Sequence, residues 1–207
     1  YKRQVYRPYH LKHHRFTESE RDPDLALSAP FPITIKSFIR KIARDLLGIT
    51  GYRRYSQALL SIFKTEADSF SDKMKKVWFK IHGFLITNIF IFAIISTFLD
   101  WTLYFLLWWL PAFTYYSLII RIRNIAEHCV TPGSTDFDNT RTTLTNPFVR
   151  FLMAPHGVNY HLEHHLFMMC PWYNLPKAHS MMIENGYEDR MCIANSYRSV
   201  LMKAVSA

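Results

Sequence analysis

Two long apolar stretches stand out in the hydropathy pattern of the chain. They occupy 83–99 and 102–120, and no lysine or arginine lies between Lys80 and Arg121. A helix crosses the hydrocarbon core of a bilayer with about 20 apolar residues, within a range of about 17 to 25. Each stretch is therefore long enough to cross once, and Asp100-Trp101 marks the turn between them. The pattern predicts a transmembrane helical hairpin.

Basic residues flank both ends of this hairpin, lysines before it and arginines after it. They are Lys73, Lys75, Lys76, Lys80, Arg121 and Arg123. Because cytoplasmic segments are enriched in lysine and arginine, both ends are predicted to face the cytoplasm. Pro111 is expected to kink the second span, since proline lacks the N–H that continues a helix. Trp108 and Trp109 are interpreted as packing residues, with a substrate groove facing the lipid as the alternative.

An amphipathic pattern precedes the hairpin. Over 33–47, apolar residues recur at helical spacing opposite lysines and arginines, which predicts a basic helix lying in the membrane interface. A surface helix of a soluble domain has the same pattern and is the alternative. Gly48 and Gly51 are predicted to end this helix, and a further basic helix is predicted over 56–80.

The other segments complete an expected all-α integral membrane protein with interfacial helices and a cytosolic helical cap. We expect a basic helix over 1–15, a loop over 18–32, a loop for substrate or partner contacts over 131–147, a short apolar helix over 148–154 and an amphipathic helical tail from Lys177. The chain is interpreted as one domain in four parts, namely 1–32, 33–82, 83–120 and 121–207.

Composition supports this interpretation. Hydrophobic residues make up 49% of the chain and aromatic residues 16%, yet the mean hydropathy is close to neutral, because apolar and basic stretches are segregated. The net charge of +9 accompanies hydrophobic segments and no nucleic-acid motif, so anionic lipid headgroups are the expected partner rather than nucleic acid. Cys129, Cys170 and Cys192 form no paired framework and are expected to be reduced thiols on the cytosolic side.

Two histidine clusters share one spacing, His-x-x-His-His. The first is His10, His13 and His14, and the second is His161, His164 and His165. Positions i, i+3 and i+4 lie on one helical face, so each cluster is predicted to aim three imidazoles at a single point. A pair of solvated polar faces is the alternative. Asn124 and His128 also share a helical face, and His128 is predicted to be a further metal ligand, with a structural histidine as the alternative.

These seven histidines exceed what one zinc ion binds, so two metal ions are implied. Imidazole suits zinc, copper, iron and nickel alike, and composition does not choose among them. The zincin pattern His-Glu-x-x-His is absent, and Glu163 is expected to orient a histidine ligand from behind rather than act as a base. His156 is predicted to support the site or the fold. His82 and His179 are expected to be structural or interfacial residues. Asn159 and Tyr160 are candidates for supporting the metal ligands.

The two clusters, the hairpin between them and the Asn124-x-x-x-His128 pair resemble the membrane fatty acid desaturase superfamily, which includes hydroxylases and carotenoid ketolases. The segments 123–128, 139–142 and 154–167 are particularly similar to bacterial acyl-lipid desaturases. The resemblance implies a non-haem di-iron centre at the cytosolic membrane face that activates O2. It also implies that all seven histidines are iron ligands and that Asn124 is a ligand through water.

The resemblance further implies an acyl-chain desaturase that receives electrons from a ferredoxin, cytochrome b5 or a rubredoxin-like protein docking on the basic cap. Relatives of this kind carry an additional histidine motif, His-x(3 or 4)-His, which is not found between Tyr1 and Ala207. Its expected place is upstream of Tyr1, and the chain is interpreted as an N-terminally incomplete desaturase. The alternatives are a hydroxylase or ketolase acting on a lipid or carotenoid, and a non-catalytic subunit of a membrane complex.

Overall fold

The computed structural model describes residues 2–17, 19–24, 30–133 and 135–205. Within these ranges the chain is mostly helical, which confirms the helical part of the predicted all-α fold. One short parallel sheet departs from that prediction. Parts of two predicted loops lie outside the described residues, namely Glu18 and 25–29 of the first loop and Ser134 of the second.

Three helices precede the first apolar stretch, and they are α1 (Lys2–Phe16), α2 (Ile35–Leu46) and α3 (Ile49–Phe63). α2 matches the amphipathic helix that the sequence predicts. Gly48 separates α2 from α3 with a φ of 76°, a conformation that glycine adopts readily because it has no Cβ. The prediction for Gly51 is wrong, since this residue lies inside α3, where a Cβ would clash with the backbone of Phe113.

The first apolar stretch belongs to one long helix, α4 (Phe70–Phe98). Its start is fixed by Ser69, whose hydroxyl accepts a hydrogen bond from the backbone N–H of Asp72 at 3.1 Å. The single basic helix predicted over 56–80 is therefore wrong. α3 ends at Phe63, and α4 begins after a new N-cap at Ser69.

The second apolar stretch is helical but irregular around Pro111. Its parts are α5 (Thr102–Tyr104), a π-helical turn (Phe105–Trp109), α6 (Leu110–Phe113) and α7 (Tyr115–His128). Pro111 has no N–H to donate to the carbonyl of Leu107, and just before it the N–H of Leu110 bonds the carbonyl of Phe105. The expected disturbance of the second span is present, and α7 starts after a break at Thr114.

Two helical segments of the described chain are long and apolar enough to cross a membrane, Phe70–Phe98 and Thr102–His128. In their most apolar windows, 0% and 17% of the residues are buried. The core helix of a soluble protein would be mostly buried, so this exposure fits membrane helices better. Insertion and orientation in a bilayer remain predictions.

The C-terminal part alternates short elements. They are β1 (Thr142–Thr143), α8 (Pro147–Met153), α9 (His161–Leu166), α10 (Leu175–Glu184), β2 (Ile193–Ala194) and α11 (Tyr197–Ala204). β1 pairs with β2 in parallel, with Thr142 opposite Ile193. The predicted helical tail is present in part, as α10 and α11, and it is interrupted because α10 ends before Gly186, whose φ is 78°.

The chain divides into two compact units, and the prediction of one domain remains untested. One unit comprises Tyr1–Val5 and Arg40–Leu118, and the other comprises Tyr6–Ile39 and Ile119–Ala207. In the first unit, Asn88 Oδ1 accepts hydrogen bonds from the Tyr104 hydroxyl at 2.8 Å and from the indole N–H of Trp108 at 3.1 Å. Trp108 thus bonds to α4, while Trp109 packs against Phe113, Tyr55 and Phe84.

The second unit has two small apolar clusters. One cluster, made by α7 and α11, buries Ile125, Cys129, Val200 and Ala204. The other, made by α9 and α10 and the segment before β2, buries Leu162, Met182 and Met191. These clusters fix α7 and α9, the helices that carry His128 and the second histidine cluster. The three cysteines are free thiols, as expected.

Candidate metal centre

Three histidines form a tight triangle of ring nitrogens. The Nε2 atoms of His10 and His14 lie 3.0 Å apart, and each lies 3.1 Å from the Nε2 of His164. A neutral ring nitrogen is either a donor or an acceptor, so three mutual contacts cannot all be hydrogen bonds. Lone pairs that converge on one cation explain the triangle better. We call these residues the three-histidine group.

Four other histidines form a second set, the four-histidine group, which is His13, His128, His161 and His165. The Nε2 of His161 lies 2.9 Å from that of His128 and 3.1 Å from that of His165. The ligand atoms of the group all lie within 4.8 Å of one another. His14 and His165, one from each group, stack with ring centroids 4.1 Å apart. The arrangement can therefore hold two metal ions side by side.

The two groups do not correspond to the two sequence clusters. α1 supplies His10 and His14 to the three-histidine group but His13 to the four-histidine group. α9 does the reverse. Its His164 belongs to the three-histidine group, whereas His161 and His165 belong to the four-histidine group. The prediction that each cluster aims at a single point is wrong. Each helix instead gives its i and i+4 rings to one group and the i+3 ring to the other.

A carboxylate from the predicted loop over 18–32 contacts His13 on the Nδ1 side of its ring. Asp22 Oδ1 lies 2.8 Å from the Nδ1 of His13, and both side chains are buried. Asp24 lies 3.6 Å from the same Nδ1 and accepts a hydrogen bond from the Tyr9 hydroxyl at 2.5 Å. Carboxylates commonly bind the second nitrogen of metal-ligating histidines. The sequence Asp22-Pro23-Asp24 shows two carboxylates near the first histidine cluster, but it does not indicate which histidine they contact.

Asn124 is buried and faces the same region. Its Oδ1 has no hydrogen-bond partner among the described residues. The side chain lines a cavity of about 190 Å³ together with histidines of both groups, namely His10, His13, His128, His161 and His164. A buried acceptor without a partner is costly, so a water molecule in this cavity is the natural partner for Asn124.

The electrostatics of the site favour neutral imidazoles. Burial, followed by the neighbouring histidines, lowers the pKa of His14 to about 3 and the pKa of His164 to about 4. The same causes lower the pKa values of His161 and His165 well below the ordinary value, and burial lowers the pKa of His10. Neutral imidazole is the form that binds metals, so the rings are ready to act as ligands at pH 7.

Glu163 has other partners than a histidine ligand. It is fully buried, its Oε1 lies 2.6 Å from the Nδ1 of His179, and its Oε2 accepts a hydrogen bond from the Thr142 hydroxyl. Both carboxylate oxygens therefore contact residues outside the two histidine groups, and the predicted support of a ligating histidine stays a prediction. Glu163 fixes α9 to β1 and α10. His179 is predicted to be either structural or interfacial, and its contact with Glu163 fits the structural role.

The other candidates lie around the site or apart from it. His156 belongs to neither histidine group, is exposed, and packs edge-on against Trp172 at 5.1 Å. Asn159 donates to the carbonyl of Thr143 at 3.2 Å, and Tyr160 packs against His179. The Nδ1 of His82 lies 2.9 Å from the carbonyl of Trp78 within α4.

The donor set fits a pair of transition-metal ions. Seven imidazole nitrogens in two adjacent groups suit iron as well as zinc, copper or nickel. Among protein families, a model described as fatty acid desaturase matches residues 3–193. No curated protein and no solved structure matches the chain.

Proposed function

From the premise that this chain belongs to the fatty acid desaturase family, we propose that it is a membrane acyl-lipid desaturase with a di-iron centre. Family membership implies oxidoreductase activity. The observation that carries the proposal is the convergence of seven histidines from α1, α7 and α9 into two adjacent groups. When bound, two iron ions with O2 would supply the oxidant that removes two hydrogens from adjacent methylenes of an acyl chain while O2 becomes water.

Different residues would bind each of the two ions. His10, His14 and His164 would hold one ion, and the four-histidine group would hold the other. Asp22 contacts the Nδ1 of His13. The Nε2 of His13 is therefore the nitrogen that can serve the four-histidine group as a ligand. Asn124 Oδ1 would contribute through a water molecule in the cavity that Asn124 lines, since this buried oxygen has no partner among the described residues.

The immediate surroundings of the four-histidine group keep bulk water away. His13, His128 and His161 are buried, and Ala126 and Leu162, which neighbour two of them in sequence, are almost completely inaccessible. Exclusion of water strengthens electrostatic interactions in a site and protects reactive species from side reactions. A reaction at an unactivated C–H bond needs such protection.

The membrane and the electron donor complete the proposal. The apolar exposed helices Phe70–Phe98 and Thr102–His128 would anchor the enzyme beside its lipid substrate, with the basic residues near the start of α4 and in the second half of α7 at the cytoplasmic face. His128 is the last residue of α7 and so follows the second span directly. The net charge of +9 favours an acidic one-electron donor, such as a ferredoxin, cytochrome b5 or a rubredoxin-like protein.

Product analysis tests the reaction. The intact protein, reconstituted with iron, lipid, O2 and an electron donor, is expected to yield a lipid that has lost two hydrogen atoms. Mass spectrometry that finds an added oxygen atom instead would replace desaturation by hydroxylation or ketolation. A preparation that binds two irons but never consumes O2 would favour a non-catalytic subunit, and one that binds no metal would overturn the di-iron centre.

A further inference from the structure

We infer that Arg141–Thr143 is a buried brace that sets the separation between the helices carrying His128 and His161. This inference deepens the proposed function, because it rests on the four-histidine group as a metal site. The sequence predicts that this segment belongs to a loop for substrate or partner contacts. Thr142 is fully buried, and Arg141 and Thr143 are at most 3% exposed, which is too little for such contacts.

Arg141 attaches the brace to the end of α7. Its guanidinium donates to the carbonyls of Cys129 at 2.9 Å and Val130 at 2.8 Å, and more weakly to those of Ala126 and Ile125. Its backbone N–H donates to the carbonyl of Glu127 at 2.9 Å. The last carbonyls of a helix have no partner within it, and a cation there also meets the negative end of the helix dipole. The turn that carries His128 is thereby held.

Thr142 and Thr143 attach the brace to the second ligand helix. The hydroxyl of Thr142 donates to Glu163, which lies two residues after His161 on α9, and His179 binds the other oxygen of that carboxyl group. The backbone N–H of Thr143 donates to the carbonyl of Asn159 at 2.9 Å, just before α9 begins. The pairing of β1 with β2 holds the brace itself in place.

Three consecutive residues therefore bond to both ligand-bearing helices. His128 and His161 are 33 positions apart in sequence, and their Nε2 atoms are 2.9 Å apart. Ligand geometry tolerates only small errors, so a displacement of either helix weakens binding. We assign Arg141, Thr142 and Glu163 as positioning residues. Thr142 offers the sharpest test, since it makes its contact through one hydroxyl.

Thr142→Val removes that hydroxyl with little change in shape. Thr140→Val is the matched control, because Thr140 is fully buried on the same segment and its hydroxyl has no partner among the described residues. Thr142→Ser, which keeps the hydroxyl, is the rescue variant. Each intact protein is prepared metal-free in lipid nanodiscs and titrated with Co²⁺, whose visible absorption reports the number and geometry of its ligands. Thermal unfolding of the metal-free proteins is measured in parallel.

We expect Thr142→Val to bind Co²⁺ about 10-fold more weakly, with an altered absorption spectrum. This is the lower end of the effect of losing a residue that binds a ligand directly, because Thr142 acts on α9 through Glu163. Thr140→Val and Thr142→Ser should match the unsubstituted protein. Equal affinities and spectra for Thr142→Val and Thr140→Val would overturn the brace, even if Thr142→Val melts earlier. If Thr142→Val does not fold, Thr142→Ala removes the same hydroxyl without added bulk, and unchanged Co²⁺ binding by it overturns the inference. Failure of the unsubstituted protein to bind Co²⁺ would overturn the proposed function as well.

Discussion

The Nδ1 of His13 lies 2.8 Å from Oδ1 of Asp22, and both side chains are buried in the second unit. This contact fixes the imidazole from the side opposite to the four-histidine group. His13 is the single residue that α1 gives to that group, since its two neighbours in the cluster belong to the other. Helical spacing alone does not separate His13 from its neighbours, so a contact from outside the helix, such as that with Asp22, helps to set its orientation.

Asp22→Asn is expected to weaken metal binding. The amide is a poorer acceptor and can present its NH2 group to His13, so the ring loses its preferred orientation. We expect about a 10- to 100-fold faster loss of metal to a chelator, measured by iron content over time. Asp24→Asn is the control, because Asp24 lies farther from His13, at 3.6 Å. Equal effects of the two substitutions would contradict an orienting role for Asp22.

His164→Ala is expected to empty the three-histidine group. It removes one of only three nitrogens there and none from the four-histidine group. Metal content should fall from about two ions to about one per chain, and turnover should be lost. His156→Asn serves as the control, because His156 is exposed, lies outside both groups and has a φ of 58°, which asparagine tolerates. Full activity of His164→Ala would remove this residue from the ligand set.

Acid is expected to destabilise the metal-free protein. The pKa values of His14 and His164, about 3 and about 4, lie below the value near 6.5 in an unfolded chain. The unfolded state therefore binds more protons as the pH falls below about 6.5, and the free energy of unfolding decreases until about pH 3. Above about pH 6.5 these residues should add no pH dependence. Melting temperatures between pH 7 and pH 4 test this.

A double variant checks the origin of that pH dependence. His14→Gln with His164→Gln removes two of the buried titrating rings and should give a shallower decrease of melting temperature with acid. An equally steep decrease would assign the effect to other groups.

Gly51→Ala is expected to destabilise the first unit. A Cβ at Gly51 would overlap the backbone of Phe113, which cannot move as a flexible side chain could. Overpacking of this kind costs about 1 to 3 kcal/mol in the free energy of unfolding. Gly83→Ala is the control, since nothing lies within 4 Å of its added Cβ, and it should be neutral or stabilise α4 by up to about 1 kcal/mol. Thermal unfolding in detergent compares the two, and a smaller loss for Gly51→Ala than for Gly83→Ala would contradict the close approach.

The sequence by itself determined the helical character of the chain, its two apolar stretches and the seven histidines that converge. These features follow from local periodicity, because residues three and four positions apart share a helical face whatever lies around the helix. Pro111 disturbed its helix, as expected, for the same local reason.

Only the tertiary structure decided how the ligands are shared. Whether His13 joins His14 or His128 depends on where α7 and α9 place their rings, and helical spacing within α1 contains no information about that. The same holds for the contact of Asp22 with His13 and for that of Thr142 with Glu163, because each joins two different segments of the chain. Their positions result from packing of whole helices and from the need to satisfy buried polar groups, and both are properties of the folded chain rather than of any one segment.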